Sequence, residues 1–307
     1  MKSRPKKSLR IPAFAKVNLT LNITGKRPDG YHELRTVFQA ISLADQLEIS
    51  IAPAQNLEIE FACSDAALAG EDNLAVRAIR ALAPEIGFTG HVRIHLEKNI
   101  PVARGLGGGS SDAAAALIAL LRLTKSKPPL ERLVQIAAGL GADVPFFLFG
   151  GRALAVNRGD EIYPMEDGPR RMVVVVSPNG IGVPTKDAYG WLAPELTRLT
   201  NPHRIWRFCA LCWSRQEALS NDFEGPVFSR HPRLGEIRAD LLKRGAADAA
   251  LAGSGSAVFG VFRNPARARR AARAFPEDSV FVVETLSRER YGRAMGWSAS
   301  ADKTARG

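Results

Sequence analysis

The sequence predicts an α+β protein of two domains, and three observations carry that prediction. Segments with strand-like and helix-like patterning alternate irregularly, without the strict βαβ order of a doubly wound sheet. The 307 residues are more than a single core of ordinary size holds. Around Asp160 to Pro169 the chain turns polar and carries two prolines, which marks a boundary. Domains are therefore expected over 10–168 and 169–297, with tails at 1–9 and 298–307.

In chain order, Val17, Leu19, Leu21 and Ile23 alternate as in a half-buried strand, and Gly25 to Gly30 forms a turn. Leu47–Ile51 and Leu57–Phe61 read as strands around Pro53 to Asn56, and Asn73–Leu82 as a helix begun near Glu71-Asp72. From His91 to Lys98 the alternation is clean, with Val92, Ile94 and Leu96 on one face. Helices are expected over Ser111–Leu123 and Leu130–Ala138. In the second half, Met172–Val176 reads as a buried strand. Helices follow over Thr185–Leu192, Arg204–Ala218 and Pro232–Lys243, with strands at Ala257–Phe262 and Ser279–Glu284.

Composition narrows the function classes. No apolar run approaches the ~18–20 residues of a membrane span, and no secretory leader follows the basic N-terminus. Three cysteines supply no disulfide framework, so a reducing cytoplasm is expected and no membrane partner. The net charge of +11 is concentrated in the N-terminal tail and the stretch Arg263 to Arg273. No nucleic-acid-binding motif accompanies it, and phosphorylated metabolites fit a basic chain equally well, so nucleic acid is not an expected partner. Cys209 and Cys212 form a CxxC without a second pair, beside Trp206 and Trp213, and read as core. His91 and His95 share a strand face with Arg93 and Glu97 and read as solvated; no protein-held metal site is expected.

The strongest chemical signal is Pro101-Val102-Ala103-Arg104-Gly105-Leu106-Gly107-Gly108-Gly109-Ser110-Ser111. Four glycines in five positions remove side chains where a ligand would approach backbone, and a helix follows with Ser110 or Ser111 at its cap. Free N–H groups and the helix dipole make an anion site, with a triphosphate the obvious ligand. No Lys-Ser/Thr follows the glycines, so this is not a Walker loop, and the dinucleotide spacing fails at Ser110.

This loop resembles the second motif of the GHMP kinases. The other two motifs stand in the expected order, at Pro12-Ala-Phe-Ala-Lys16-Val-Asn18 and at Leu251-Ala-Gly253-Ser254-Gly255-Ser256. Asp29-Gly-Tyr31-His32-Glu-Leu34 is similar to the hallmark of one subfamily, whose members phosphorylate a cytidyl diphosphate sugar alcohol. Ser110-Ser111-Asp112, Gly141-Ala-Asp143-Val-Pro-Phe146, Pro178-Asn179 with Pro184-Thr185, and Asn221-Asp222-Phe223-Glu224 fit it too. Arg104, Pro184 and Leu251-Ala252 depart from the usual pattern.

The resemblance implies a first domain like ribosomal protein S5 domain 2 and a ferredoxin-like second domain. It implies ATP as co-substrate, with Mg²⁺ arriving only with the nucleotide at Ser111 or Asp143. Lys16 and Asp143 are implied at the reacting hydroxyl, Asp143 as base and Lys16 as the neutralising charge. Asn73 and residues 101–111 are expected at ATP. Asn18, Tyr31, His32, Thr185 and Gly253 to Ser256 are expected at the second substrate, with Tyr31 stacking on the base. The rival within the superfamily is a homoserine or mevalonate type of kinase.

Overall fold

The computed structural model describes residues 7–192 and 219–299. The expected helix Arg204–Ala218, and with it Cys209 and Cys212, lies outside the described residues. The chain begins with two long strands, β1 (Lys7–Lys26) and β2 (His32–Ala52), paired antiparallel from Lys7↔Ile51 to Lys26↔His32. The turn joining them closes where Arg27 N–H donates to Tyr31 O at 2.7 Å. Next come β3 (Leu57–Cys63), α1 (Leu74–Glu85) and β4 (Gly90–Glu97), and β3 and β4 pair parallel across the helix. Then follow α2 (Gly108–Thr124), α3 (Leu130–Leu140), α4 (Val144–Phe149), β5 (Arg152–Val156) and β6 (Glu161–Pro164).

The first sheet runs β3-β4-β2-β1, and β5 extends it by pairing with the N-terminal half of β2. In α2, residues from Ser111 to Leu121 are buried all round, as a central helix requires. Its Ala113 to Ala116 run admits close approach to the sheet, and α1 and α4 pack against it.

The second half contributes β7 (Met172–Ser177), α5 (Thr185–Gly190), β8 (Ser220–Asn221), α6 (Glu224–Arg230), α7 (Pro232–Lys243), β9 (Asp248–Leu251), β10 (Val258–Phe262), α8 (Pro265–Ala272), β11 (Ser279–Glu284) and α9 (Arg288–Met295). The short β8 joins the first sheet, parallel to β1. The other four strands form a second antiparallel sheet in the order β11-β7-β10-β9, the ferredoxin-like arrangement. Strand β7 shows how one valine run serves two cores. Val174 and Val176 face the helix-covered side with Ile237, Phe262 and Ala268. Val173 and Val175 face Ala15, Val17 and Ile41 of the first sheet. The cleft described below opens along this junction.

Residues beyond β11 return to the first core, which the sequence-based division at 168/169 does not foresee. Tyr291 of α9 is buried there, and its hydroxyl donates to Phe147 O at 2.6 Å. The Trp297 indole donates to Leu148 O at 3.0 Å.

Candidate active site

A cleft of about 970 Å³ runs between the two halves, lined by the Gly-rich loop, the hairpin residues Gly30 to His32, β1, α5 and Gly253-Ser254. Its floor is set by irregularities in β1. Register shifts fall between Phe14 and Lys16 and between Asn18 and Thr20, so the segment carrying Lys16 and Asn18 is bracketed by bulges. Bulges re-aim side chains. At the first of them the Lys16 N–H donates to Leu106 O at 3.0 Å, which ties the strand to the Gly-rich loop.

The Lys16 side chain is 5% exposed, and a buried ammonium is costly unless paired. Its Nζ donates to Asn18 Oδ1 at 2.9 Å, lies 3.4 Å from Asp143 Oδ2, and sits 4.9 Å from the Phe38 ring centroid. Asp143 precedes α4 as its N-terminal flanking residue, is about a third exposed, and lines the cleft. The structure thus brings Lys16 and Asp143 together across 127 residues of sequence, in an ion pair open to ligand on one side. Asn18 lines the cleft, but its amide is committed to protein. Oδ1 accepts from Lys16, and Nδ2 donates to Thr36 Oγ1 at 2.7 Å. It orients the lysine; Thr36 orients it in turn by donating to Thr20 O at 2.6 Å. Sequence reasoning did not mark Thr36, a buried strand threonine like many others.

Residues 101–110 all line the cleft. The helix after them differs from expectation at its start. It begins at Gly108, with Gly107 left-handed at the cap (φ 73°) and no side chain capping it. Ser110 and Ser111 sit inside the first turn, where the N–H groups ahead of them stay free for an anion. Ser111 is buried behind the loop, and its Oγ has no hydrogen-bond partner.

The glycines also serve the protein itself. A Cβ on Gly105 would sit 1.9 Å from Ala252 O, and one on Gly107 would meet the Phe147 ring at 2.8 Å and Lys16 Cγ at 3.1 Å. The Gly-rich loop is therefore pressed against the third Gly-rich turn and against Lys16. Arg104 reinforces the first contact, donating to Ser256 Oγ at 2.6 Å.

Beneath the loop lies a buried charge cluster that the sequence did not announce. The Lys98 ammonium bonds Asp45 Oδ2, and it reaches Asp112 Oδ2 at 2.8 Å. Asp45 Oδ1 also accepts from the N–H groups of Asn99 and Ile100, at 2.5 and 2.8 Å. Burial pushes the Asp112 carboxyl up to about 7, against the opposing pull of Lys98 and with help from Asp45. Asn73, expected at adenine, lines the cleft and caps α1, its side chain accepting from Ala75 N–H and donating to Leu68 O.

At the other end, Tyr31 is 57% exposed on the hairpin tip, with the Arg158 guanidinium 5.2 Å from its ring centre. His32 stacks on Tyr189 at 4.7 Å and 21°. Burial, with a contribution from Lys26, lowers the His32 pKa and keeps the ring neutral near pH 7. Burial and then Asp143 raise the Tyr189 phenol to about 12. Tyr189 lines the cleft and was not marked from the sequence, since an aromatic four residues after Thr185 carries no motif signal. Thr185 Oγ1 and Ser254 Oγ share a hydrogen bond of 3.1 Å across the cleft wall. Of the third turn only Gly253 and Ser254 line the cleft. The Gly255 N–H donates to Ala252 O, and the fully buried Ser256 hydroxyl donates to Ile181 O, so the expectation that these two face a substrate is corrected.

With that geometry in view, similarity to known proteins is specific. Family models for the GHMP kinases N terminal domain and the GHMP kinases C terminal match residues 73–151 and 210–279. The 4-diphosphocytidyl-2-C-methyl-D-erythritol kinase of Solibacter usitatus is 45% identical over 95% of this chain and 93% of that protein. The chain belongs to this family of GHMP kinases. The kinase of the same name from Geobacter metallireducens is 38% identical over 90% of this chain and 97% of its own. A crystal structure of 4-(cytidine 5'-diphospho)-2C-methyl-D-erythritol kinase superposes with a TM-score of 0.75 at 38% identity, covering 90% of this chain and 99% of that one. The homoserine kinase of Cytophaga hutchinsonii reaches a TM-score of 0.73 at 17% identity over 94% and 97%, a likeness of fold alone. His91, Arg93 and Glu60 form a surface ion-pair group, and among the described residues no cluster of His, Cys, Asp and Glu could hold a metal. No described helix is long and apolar enough to cross a membrane.

Proposed function

We propose that the protein transfers the γ-phosphoryl group of ATP to the 2-hydroxyl of 4-diphosphocytidyl-2-C-methyl-D-erythritol, in the cytoplasm. The observation that carries the chemistry is the ion pair of Lys16 and Asp143 facing the cleft beside the Gly-rich loop. The triphosphate lies along residues 101–110, against free N–H groups at the start of α2. Asp143 accepts the hydroxyl proton as the oxygen attacks the γ-phosphorus, whose bond to the bridging oxygen breaks to release ADP. Lys16, held by Asn18, offsets the negative charge that develops between nucleophile and phosphoryl group.

Mg²⁺ supplies charge neutralisation on the phosphates when it enters with the nucleotide. Two hard oxygen donors would suit it: the Ser111 hydroxyl, buried without a partner in the first turn of α2, and the Asp143 carboxylate, which lines the cleft. The cytosine end of the acceptor lies at Tyr31, His32 and Tyr189, whose rings offer stacking surface and a neutral imidazole for the base edge. Gly253, Ser254 and Thr185 face its diphosphate.

Incubation with ATP and this acceptor, followed by phosphorus-31 NMR, tests the reading. A new phosphomonoester on the 2-hydroxyl is expected, formed at least about a hundredfold more slowly by Asp143→Asn. Phosphorylation elsewhere on the acceptor, or undiminished product from the variant, contradicts it.

A further inference from the structure

Asn221-Asp222-Phe223-Glu224 matches the family pattern, yet the chemistry above assigns it nothing. Its four side chains contact the third turn and the strand leading into it, β1, and the aromatic corner. Asn221 is 8% exposed, and its Nδ2 donates to both Leu251 O and Gly253 O, at 2.9 and 2.7 Å. Its Oδ1 accepts from Phe223 N–H at 2.9 Å, so the amide is fully spent. Asp222 Oδ2 accepts from Ile23 N–H at 2.7 Å, next to where β8 pairs with β1. Glu224 Oε1 accepts from Leu251 N–H at 2.9 Å. The buried Phe223 ring meets Tyr189 edge-on at 4.9 Å and 89°, and Tyr189 in turn stacks on His32.

We propose that Asn221 to Glu224 is the positioning element for acceptor binding, fixing the third turn, the aromatic corner and the catalytic strand in one register. The peptide plane makes the first link explicit. In a trans peptide the carbonyl and the next N–H point in opposite directions. Asn221 holds the Gly253 carbonyl, so it fixes the Ser254 N–H on the opposite side, at a residue that lines the cleft. Phe223 makes the second link, since its edge against Tyr189 limits how far that ring can tilt on His32. Asp222 and β8 make the third, anchoring the element to the strand that carries Lys16.

The inference rests on the acceptor site proposed above, and its test keeps the two apart. Wild-type enzyme is assayed first with ATP and the cytidyl acceptor; no turnover there overturns the function, not the role of this segment. In a competent background two variants are compared. Asn221→Asp keeps the shape and the acceptor for Phe223 N–H but offers no donor to the two carbonyls. Phe223→Leu keeps an apolar side chain and removes the ring edge. Each should raise the Michaelis constant for the cytidyl acceptor roughly tenfold or more, and that for ATP by less than about threefold. Phe223→Leu decides alone if Asn221→Asp does not fold. Equal changes for both substrates, no change for either, or failure of both variants to fold overturns the positioning role.

Discussion

At one end of the cleft, from Pro101 to Ser110, four glycines leave backbone accessible; at the other, Tyr31, His32 and Tyr189 offer aromatic side chains. The backbone end is rigidly specified. Gly105 and Gly107 stand where a Cβ would strike Ala252, Phe147 or Lys16, and the loop is underlain by Lys98 bridging Asp45 and Asp112. The side-chain end hangs on a hairpin tip and one short helix, with Tyr31 half in solvent. A division of this kind would let one fold serve several acceptors. Binding a triphosphate uses N–H groups that every sequence has, so its geometry must be protected from side chains. Recognising a base uses rings and hydrogen-bonding edges, which can be exchanged without disturbing the loop.

The largest effect is expected where the two ends meet. Asp143→Asn should lower turnover by about 10²–10⁴ while both substrates still bind, because a general base contributes on that scale. Near wild-type turnover, with circular dichroism unchanged, would remove Asp143 from the chemistry.

Gly107→Val should damage more than nucleotide binding. The new side chain would press on Phe147 and Lys16 at a left-handed position, so the melting temperature and turnover should fall together with affinity for a non-hydrolysable ATP analogue. Calorimetry and a thermal melt on one preparation decide it. Lost affinity with an unshifted melt would mean that only the ligand needs this glycine.

Tyr31→Ala should show the opposite profile. The ring is exposed, so stability should hardly change, while the Michaelis constant for the cytidyl acceptor rises and that for ATP does not. Stacking on a base is worth about 1–3 kcal/mol, or roughly five- to a hundred-fold. Impairment of both substrates alike would make Tyr31 a hairpin residue and blur the contrast between the two ends.

The smallest effect concerns the buried cluster. The Asp112 carboxyl is raised from 3.8 to about 7, so between these values the folded protein holds a proton that the unfolded chain has released. Its contribution to stability is complete below pH 3.8 and is lost as pH rises toward 7. Asp112→Asn mimics the protonated form, and its melting temperature should gain on wild type across that window. A variant that instead falls behind as pH rises would show that Asp112 is an ordinary ionised partner of Lys98.

The same contrast explains what the sequence made legible. Glycines at a backbone site leave a contiguous signature, and β7, β11 and α7 follow their apolar patterning almost to the residue. Lys16 and Asp143 stand out in the sequence only through their flanking motifs, and nothing local says that they touch, as they do at 3.4 Å. Tyr189, Thr36 and Lys98 carry no local signal, because each acquires its meaning from a partner on another element: His32, Asn18 and Asp112 respectively. The cap of α2 was misplaced because two serines beside a helix start usually cap it, whereas here a left-handed Gly107 does so without a side chain. The return of Tyr291 and Trp297 to the first core left no trace in periodicity, since α9 is short and mostly charged on its exposed side.

On the proposed reading, the side-chain end selects a cytidyl diphosphate acceptor on a fold similar to those of solved homoserine and mevalonate kinases. A coupled assay of ADP release, run with 4-diphosphocytidyl-2-C-methyl-D-erythritol, homoserine and mevalonate at equal concentrations, tests it directly. Release with the first acceptor and background rates with the other two is the predicted result. Comparable release with homoserine or mevalonate, or none with the cytidyl acceptor, would contradict the claim.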